Sequence, residues 1–522
     1  MSDFSRHCEK IAEHFLQTAI VVDDGAHIAV KTPSHTSLVK PDRHTLSKRD
    51  KQGTERDELD RQSLDARVIV DSFAEKGMIC GIIAPMSSNG IVENVGRAAK
   101  CADIVILDWH LDGDNGQEAL SILKSILDDD ADGRLRLVAI YTGESDIRRI
   151  GQTIKNELHK GGREFENKNN QDVVLSHQHC RIVIYAKPDT QLIQDLRDRS
   201  ITEADLPKVL IRDFASMTQG LLPNIALTSL AAIRNNAHKV LDKFEANLDP
   251  AFLTHRACLP SPDDSQQHMV NHLASELHSI IDDAVVKESP ADLEAIEKWL
   301  TKNPDCREYV FGENKKMSVD QTIELLKEGL KQKPGPLSRS NDFRILSSGF
   351  TGTDDGEKLD LRLAWLMNFR TIFDAPAPRL HLGTALRKDT GGESSDFFLC
   401  MRPRCDSVRL DGEEAFLLLP LIEPKPKTIQ LVLQENDNTY RRVSICTSMT
   451  QWSLRKFLPN NKGFVIAEKA EESFLFKDVE KTQFYWLGEL KSEFTQRVAQ
   501  EFASELSRVA IDNSEWLRRS ER

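Results

Sequence analysis

Four short apolar runs in the first two hundred residues each end in a side chain able to do chemistry, and this pattern restricts the fold more than any other feature of the chain. They are Ala19 to Val22 followed by Asp23 and Asp24, Ile104 to Leu107 followed by Asp108, Leu137 to Tyr141 followed by Thr142, and Ile182 to Ala186 followed by Lys187. Continuous apolar runs of this length suit strands buried on both faces of a parallel sheet. In an open α/β sheet, ligands bind at the carboxyl ends of such strands. A further run, Met78 to Ala84, together with helical stretches near Leu64 to Glu75, Ile91 to Ala99 and Gln117 to Leu127, completes an alternation of strand and helix. The prediction is an α/β doubly wound, parallel, five-stranded sheet with right-handed crossovers.

The residues at the strand ends share a chemical logic. Adjacent carboxylates repel one another and are best kept ionised by a hard divalent cation such as Mg2+. Asp23 and Asp24 suit that metal. A carboxylate held beside it, Asp108, can attack phosphorus, while the hydroxyl of Thr142 and the ammonium of Lys187 take up the charge of the new phosphoryl oxygens.

Across roughly the first two hundred positions the chain resembles the receiver domain of two-component response regulators. The resemblance implies a flavodoxin-like fold, with Asp23 and Asp24 as the metal-binding pair, Asp108 as phosphoacceptor, and Thr142 and Lys187 as the groups that contact the phosphate. Asp108 to Gly116 repeats the family's spacing from phosphoacceptor to a following glycine, and His110 is implied to offer its backbone carbonyl to the metal. A histidine kinase is the implied partner. Among variants of the family, the chain looks most like the atypical receivers of bacterial conflict and phage-defence loci.

Departures from the family pattern are also visible. The aromatic switch residue lies three positions before the lysine in receivers, where this chain has Ile184, and Tyr185 comes one step later. A residue on the next position of a strand points to the opposite face. Tyr141 or Tyr185 stands as the substitute. Eighty-four residues separate Asp24 from Asp108 and 79 separate Asp108 from Lys187, spacings that imply insertions. The first is placed at 27–61, a polar stretch rich in Lys, Arg and His, and the second at 161–179.

Composition bounds the remaining possibilities. Nine cysteines, scattered from Cys8 to Cys446 without a Cys-x-x-Cys pair, read as reduced thiols of a cytoplasmic protein. No apolar signal core follows Met1 and no run is long enough to cross a bilayer, so neither export nor a membrane partner is expected. A net charge of −13 argues against broad affinity for phosphate backbones. The cluster Arg402, Arg404, Arg409, Arg441, Arg442, Arg455 and Lys456 reads as solvated surface, which leaves nucleic-acid binding open.

The receiver is assigned to 1–200, a helical region to 201–332, a linker to 333–357 and an α+β output domain to 358–522. Apolar stripes at Leu206, Leu210, Phe214, Met217 and Leu221, at Leu230, Ile233, Ala237, Leu241 and Phe244, and at Met269, Leu273, Leu277 and Ile281 have helical spacing. They read as one bundle core, or as a surface for signal transmission or pairing with a second copy. Pro223 and Pro250 divide the run. Beyond the linker, a helix at Leu361 to Phe373, strands at Leu380 to Leu386, Phe397 to Met401, Ala415 to Leu421, Ile429 to Leu433 and Arg442 to Cys446, and a last helix from Leu487 to about Ile511 predict a small antiparallel sheet or barrel. No catalysis beyond phosphoacceptor chemistry is expected, with two alternatives. Asp478, Glu489 and Lys491 resemble the Asp and Glu-x-Lys pattern of restriction-type nucleases, against the reading that Glu489 and Lys491 are exposed charges at a helix start. A receiver fold used as a phosphate-independent scaffold is the other. His177, His179 and Cys180 read as a loop rather than a zinc site, and Cys400 and Cys405 as packing thiols.

Overall fold

In the computed structural model the chain divides into two units, residues 1–306 and 307–522. The structure describes residues 2–506 apart from 28–63, 85–89, 112–114, 131–132, 168–171, 178, 304, 313–314, 330–344, 374–376, 390–394, 427, 437–438, 449–450 and 472. The polar insertion at 27–61 therefore lies almost wholly outside the described residues, as does the stretch Lys333 to Ser340 assigned to the linker. The division at Cys306/Arg307 falls earlier than that linker.

The first unit opens with helix α1 (Asp3–Phe15), whose buried Phe4, Cys8, Ile11 and Ala12 repeat at helical spacing. Its sheet is built from β1 (Thr18–Val22), β2 (Ile79–Ile83), β3 (Ile104–Leu107), β4 (Arg136–Thr142), β5 (Glu166–Asn167), β6 (Val174–His177) and β7 (Cys180–Ala186), in the order β2-β1-β3-β4-β7-β6-β5. The first five of that order run parallel. The predicted count of five strands is corrected to seven. The insertion near 161–179 folds back as two antiparallel strands on the edge of β7, where polar side chains are tolerated and no long apolar run betrays a strand.

Between the strands run α2 (Ala66–Glu75), α3 (Ile91–Ala99), α4 (Gln117–Asp129) and α5 (Ile147–Lys160). Two glycines show why the chain turns where it does. Gly116 starts α4 at a φ of 88°, and a Cβ there would come within 2.2 Å of the Trp109 ring. At Gly151 on α5 a Cβ would sit 1.6 Å from the Asp172 carbonyl oxygen, so the insertion seats directly on helix backbone. Arg136, the first residue of β4, is fully buried: it grips Asp130 with Nε at 2.7 Å and Nη2 at 2.9 Å and donates to the carbonyls of Ala99 and Ala102 at the end of α3.

Helices α6 (Leu206–Met217) and α7 (Leu221–Leu241) follow, with Pro223 in the first turn of α7, where a missing N–H costs nothing. Leu206, Leu210, Phe214 and Leu227 join the receiver core. The predicted bundle core stops there. Residues of α8 (Asp249–Cys258) and α9 (Asp264–Glu288) bury almost nothing, Ser265 excepted, because α9 doubles back chiefly on α7 and α8 packs on little besides α9. Helix α10 (Leu293–Leu300) closes the unit. No helix among the described residues is long and apolar enough to cross a membrane.

The second unit begins with the hairpin β8 (Glu308–Phe311) and β9 (Lys315–Ser318). Helices α11 (Val319–Glu328), α12 (Leu346–Thr351) and α13 (Gly356–Asn368) follow. Its main sheet comprises β10 (Thr384–Asp389), β11 (Ser395–Cys400), β12 (Glu414–Ile422), β13 (Gln430–Asn436), β14 (Thr439–Ile445), β15 (Ser453–Phe457), β16 (Glu468–Ala470), β17 (Ser473–Lys477) and β18 (Gln483–Glu489). The order is β13-β14-β12-β11-β10-β18-β17-β16, with β15 also pairing β12, and every pairing is antiparallel. Alternation along β12 sends Phe416 and Leu418 to one core and Leu419 and Leu421 to another, which α14 (Ser492–Leu506) covers with Val498 and Phe502. Leu487 to Glu489 belong to a strand, so the last helix starts five residues later than predicted. Its expected end near Ile511 lies outside the described residues.

Candidate functional site

Parallel register brings the strand-end residues together. Val22 pairs with Leu107, Leu107 with Ile140, and Ile140 with Ile184. Asp23, Asp108, Thr142 and Lys187 follow those rows at one edge of the sheet. Asp23 is 1% exposed and Asp108 8%, while Asp24 is exposed. Oxygens of all three carboxylates lie within 4.8 Å of one another. Lys187 is the bridge: its Nζ donates to Asp23 Oδ2 at 2.8 Å and to Asp108 Oδ2 at 2.7 Å. Thr142 is fully buried, and its carbonyl accepts from the Lys187 backbone N–H at 2.7 Å.

Electrostatics follow from burial. Asp108 is pushed up to about 6, first by desolvation and then by the facing Asp23, against the pull of Lys187. Burial works against charge on Lys187, yet the two carboxylates more than offset it and hold the amine protonated above its ordinary range. An all-oxygen set of three acids matches the ligand chemistry of a hard cation, so the residues present fit Mg2+.

Two features escaped the sequence. His110 was assigned a backbone role only, and its N–H donates to Asp108 Oδ1 at 3.3 Å. Its side chain lies over the same edge, with Nε2 3.1 Å from Glu144 Oε2, and the Glu144 N–H donates to Thr142 Oγ1. The pair is non-local and leaves no motif. The second feature concerns the aromatic residues. Ile184 is fully buried and sits against Gly151 of α5, with its Cδ1 3.2 Å from where a Cβ would stand. Tyr185 donates to Asp213 Oδ2 on α6 at 2.6 Å and lies under the Arg199 guanidinium, while Tyr141 donates to the Ile201 carbonyl at 2.9 Å. Both tyrosines therefore tie the strands that carry Thr142 and Lys187 to the segment that follows them.

The nuclease-like residues do not converge. Asp478 lies at the β17–β18 turn, where its Oδ1 accepts from the Thr482 N–H, and Glu489 lies at the far end of β18, a strand length of roughly 20 Å away. Lys491 donates to the Leu366 carbonyl. Glu489 is buried, contrary to the exposed reading, and is held below the usual carboxylate range: desolvation opposes this, but His381, Arg370 and Arg404 outweigh it. Three of the basic residues of the same unit meet acids locally, as Arg402–Glu414, Arg455–Glu480 and Lys456–Glu413. His177 Nδ1 faces the Glu164 carbonyl, and Cys180 is buried in β7. Among the described residues, the acids of the first unit form the sole cluster of three or more potential metal ligands.

The family model of the response receiver domain matches residues 15–192, which span all the strand-end residues of the site. Comparison with curated proteins and with solved structures gives no match. The fold, the convergent acids with their lysine, and the family match make residues 15–192 a response receiver domain, which suggests a response-regulator-like role.

Proposed function

We propose that the protein is a bacterial, phosphorylation-dependent response regulator in which Asp108 accepts phosphate from a cognate histidine kinase and thereby controls the region beyond the receiver. The observation that carries this reading is the grip of Lys187 on both Asp23 and Asp108 beside a buried Thr142 and an exposed Asp24. An Asp108 carboxylate oxygen forms a bond to phosphorus as the phosphorus–nitrogen bond of phosphohistidine breaks, and the departing imidazole takes up a proton. Lys187 and the Thr142 hydroxyl then bind the new phosphoryl oxygens. Mg2+, held by Asp23, Asp24, Asp108 and the His110 carbonyl, would supply positive charge to the acids and to the incoming group.

Added negative charge at this edge changes what Lys187 and Thr142 are drawn toward. Both residues sit on strands fastened to later elements by Tyr141–Ile201 and Tyr185–Asp213, which supports a route from the phosphate to the helices. The partners on this reading are a histidine kinase and a second copy of the chain. The likeness to receivers of bacterial conflict loci favours anti-phage defence as the setting, and the genes beside this one would test that. Incubation with a small acyl phosphate and Mg2+ should add one phosphoryl group by intact mass, labile to hydroxylamine and absent in Asp108→Asn. An unchanged wild-type mass would overturn the proposal.

A further inference from the structure

Helices α8 and α9 are joined by a short turn, residues 259–263, and Arg256 fastens it by donating to the Pro262 carbonyl at 2.9 Å and to Asp263 Oδ1 at 2.8 Å. Little else holds α8. It is ten residues long and buries none of them, and a helix that short is marginal without packing. The two helices meet through a pair of histidines: His255 Nε2 lies 3.1 Å from His268 Nδ1, with ring centroids 5.3 Å apart. Nitrogens at about 2.0–2.1 Å from a tetrahedral ion are about 3.3–3.4 Å from each other, so the pair stands close to the spacing of two ligands of one metal. The residues around the pair extend that chemistry. Cys258 follows His255 by three positions and His272 follows His268 by four, so each shares a helix face with the histidine it accompanies. Cys258 lies one turn from the pair on the side of the connecting turn, and His272 one turn from it on the other side. Both are exposed. Glu276, one turn beyond His272, is already paired with Lys243.

We infer that His255, Cys258, His268 and His272 form a structural site for a divalent transition metal of the zinc type, which clamps α8 to α9. The donor set selects that class of ion. Imidazole and thiolate suit borderline and soft cations, whereas the oxygen-only cluster of Asp23, Asp24 and Asp108 suits Mg2+. The spacing agrees. Two residues separate the first two ligands and three separate the last two, both within the range of structural zinc sites. The facing nitrogens of His255 and His268 are in place, and rotation of two exposed side chains brings in the third and fourth ligands. Coordination releases the thiol proton of Cys258 to solvent and takes the imidazoles in their neutral form. The bound ion supplies the fixed geometry that packing does not give this pair of helices. The site belongs to helices beyond the receiver sheet and does not depend on phosphate at Asp108.

Titration of the full chain with Zn2+ and with Co2+, in enough Mg2+ to fill the acidic cluster, tests this. Wild type should bind one Zn2+ per chain that excess Mg2+ does not displace. Its Co2+ form should show the visible d–d bands of a tetrahedral ion and a thiolate-to-cobalt charge-transfer band. Cys258→Ser should remove the charge-transfer band, His272→Ala should weaken zinc binding at least tenfold, and His255→Ala with His268→Ala at least a hundredfold. None of the four side chains is buried, so the metal-free variants should keep the circular dichroism spectrum of wild type. Should the double variant misfold, Cys258→Ser still decides the ligand set. Asp108→Asn should bind zinc like wild type, which separates this result from the phosphorylation test. A chain that takes up no zinc in Mg2+, an affinity unchanged in either histidine variant, or a charge-transfer band that survives Cys258→Ser would overturn the inference.

Discussion

Replacing Lys187 with methionine removes the cation that bridges Asp23 and Asp108, and leaves the two buried carboxylates facing each other. At 2.8 and 2.7 Å, each ion pair is worth about 6 kcal/mol at an effective permittivity of ~20, before the cost of desolvating the charges. Measured losses on breaking one partner of a buried pair are smaller, about 3–5 kcal/mol, and that is the expected destabilisation of Lys187→Met in EDTA at neutral pH. Mg2+ at about a hundred times its dissociation constant would return about 2.7 kcal/mol, because a cation takes over the neutralising role. The pH dependence has a definite sign. Asp108, raised by burial from an ordinary 3.8 to about 6, holds its proton more tightly when folded. Its contribution is present at low pH and is lost as pH rises from near 3.8 through about 6. Lys187, held protonated beyond its ordinary 10.5, contributes stability throughout that window. Without it Asp108 rises further, so the deficit of the variant should be small near pH 4 and complete by pH 8. Urea unfolding of both proteins, followed by circular dichroism with and without Mg2+, reads all three effects. A loss below about 1 kcal/mol at pH 8 in EDTA, or a deficit that shrinks as pH rises, would refute the reasoning.

Arg136→Met should cost the first unit about 3–5 kcal/mol in urea unfolding, since it orphans Asp130 and two helix-end carbonyls. Tyr185→Phe should lower stability by about 1.5–3 kcal/mol through the lost bond to Asp213, with adduct formation at Asp108 retained by intact mass. Glu489, held low by His381, Arg370 and Arg404 despite burial, contributes stability above its ordinary 4.5 that is lost as pH falls through its lowered value. Glu489→Gln should therefore reduce the loss of thermal stability that the second unit shows as pH falls below 4.5.

Asp23, Asp108, Thr142 and Lys187 were legible because a parallel sheet turns the ends of consecutive apolar runs into one edge, so chain order alone predicts convergence. The limits of α3 at Ile91 and Ala99 were readable for a similar reason, a short amphipathic stretch between turns. The strands of the insertion were hidden because an edge hairpin needs no apolar run, and Glu166–Asn167 and Val174–His177 are partly polar. The contact of His110 with Glu144 joins residues thirty-four apart and has no local signature. Glu489 was misplaced because Gln483 to Glu489 mixes apolar and polar residues that suit a half-buried strand as well as a helix start. Periodicity at Leu230 to Leu241 marked an apolar stripe correctly but carried no information on whether anything in the same chain covers it.

The central claim is that Asp108 carries the phosphoryl group, and reductive trapping tests it most directly. After treatment with an acyl phosphate and Mg2+, borohydride reduction of an aspartyl phosphate leaves homoserine, and peptide sequencing by mass spectrometry locates it. The account predicts homoserine at position 108 and nowhere else; homoserine at another aspartate, or none in any peptide, would contradict it.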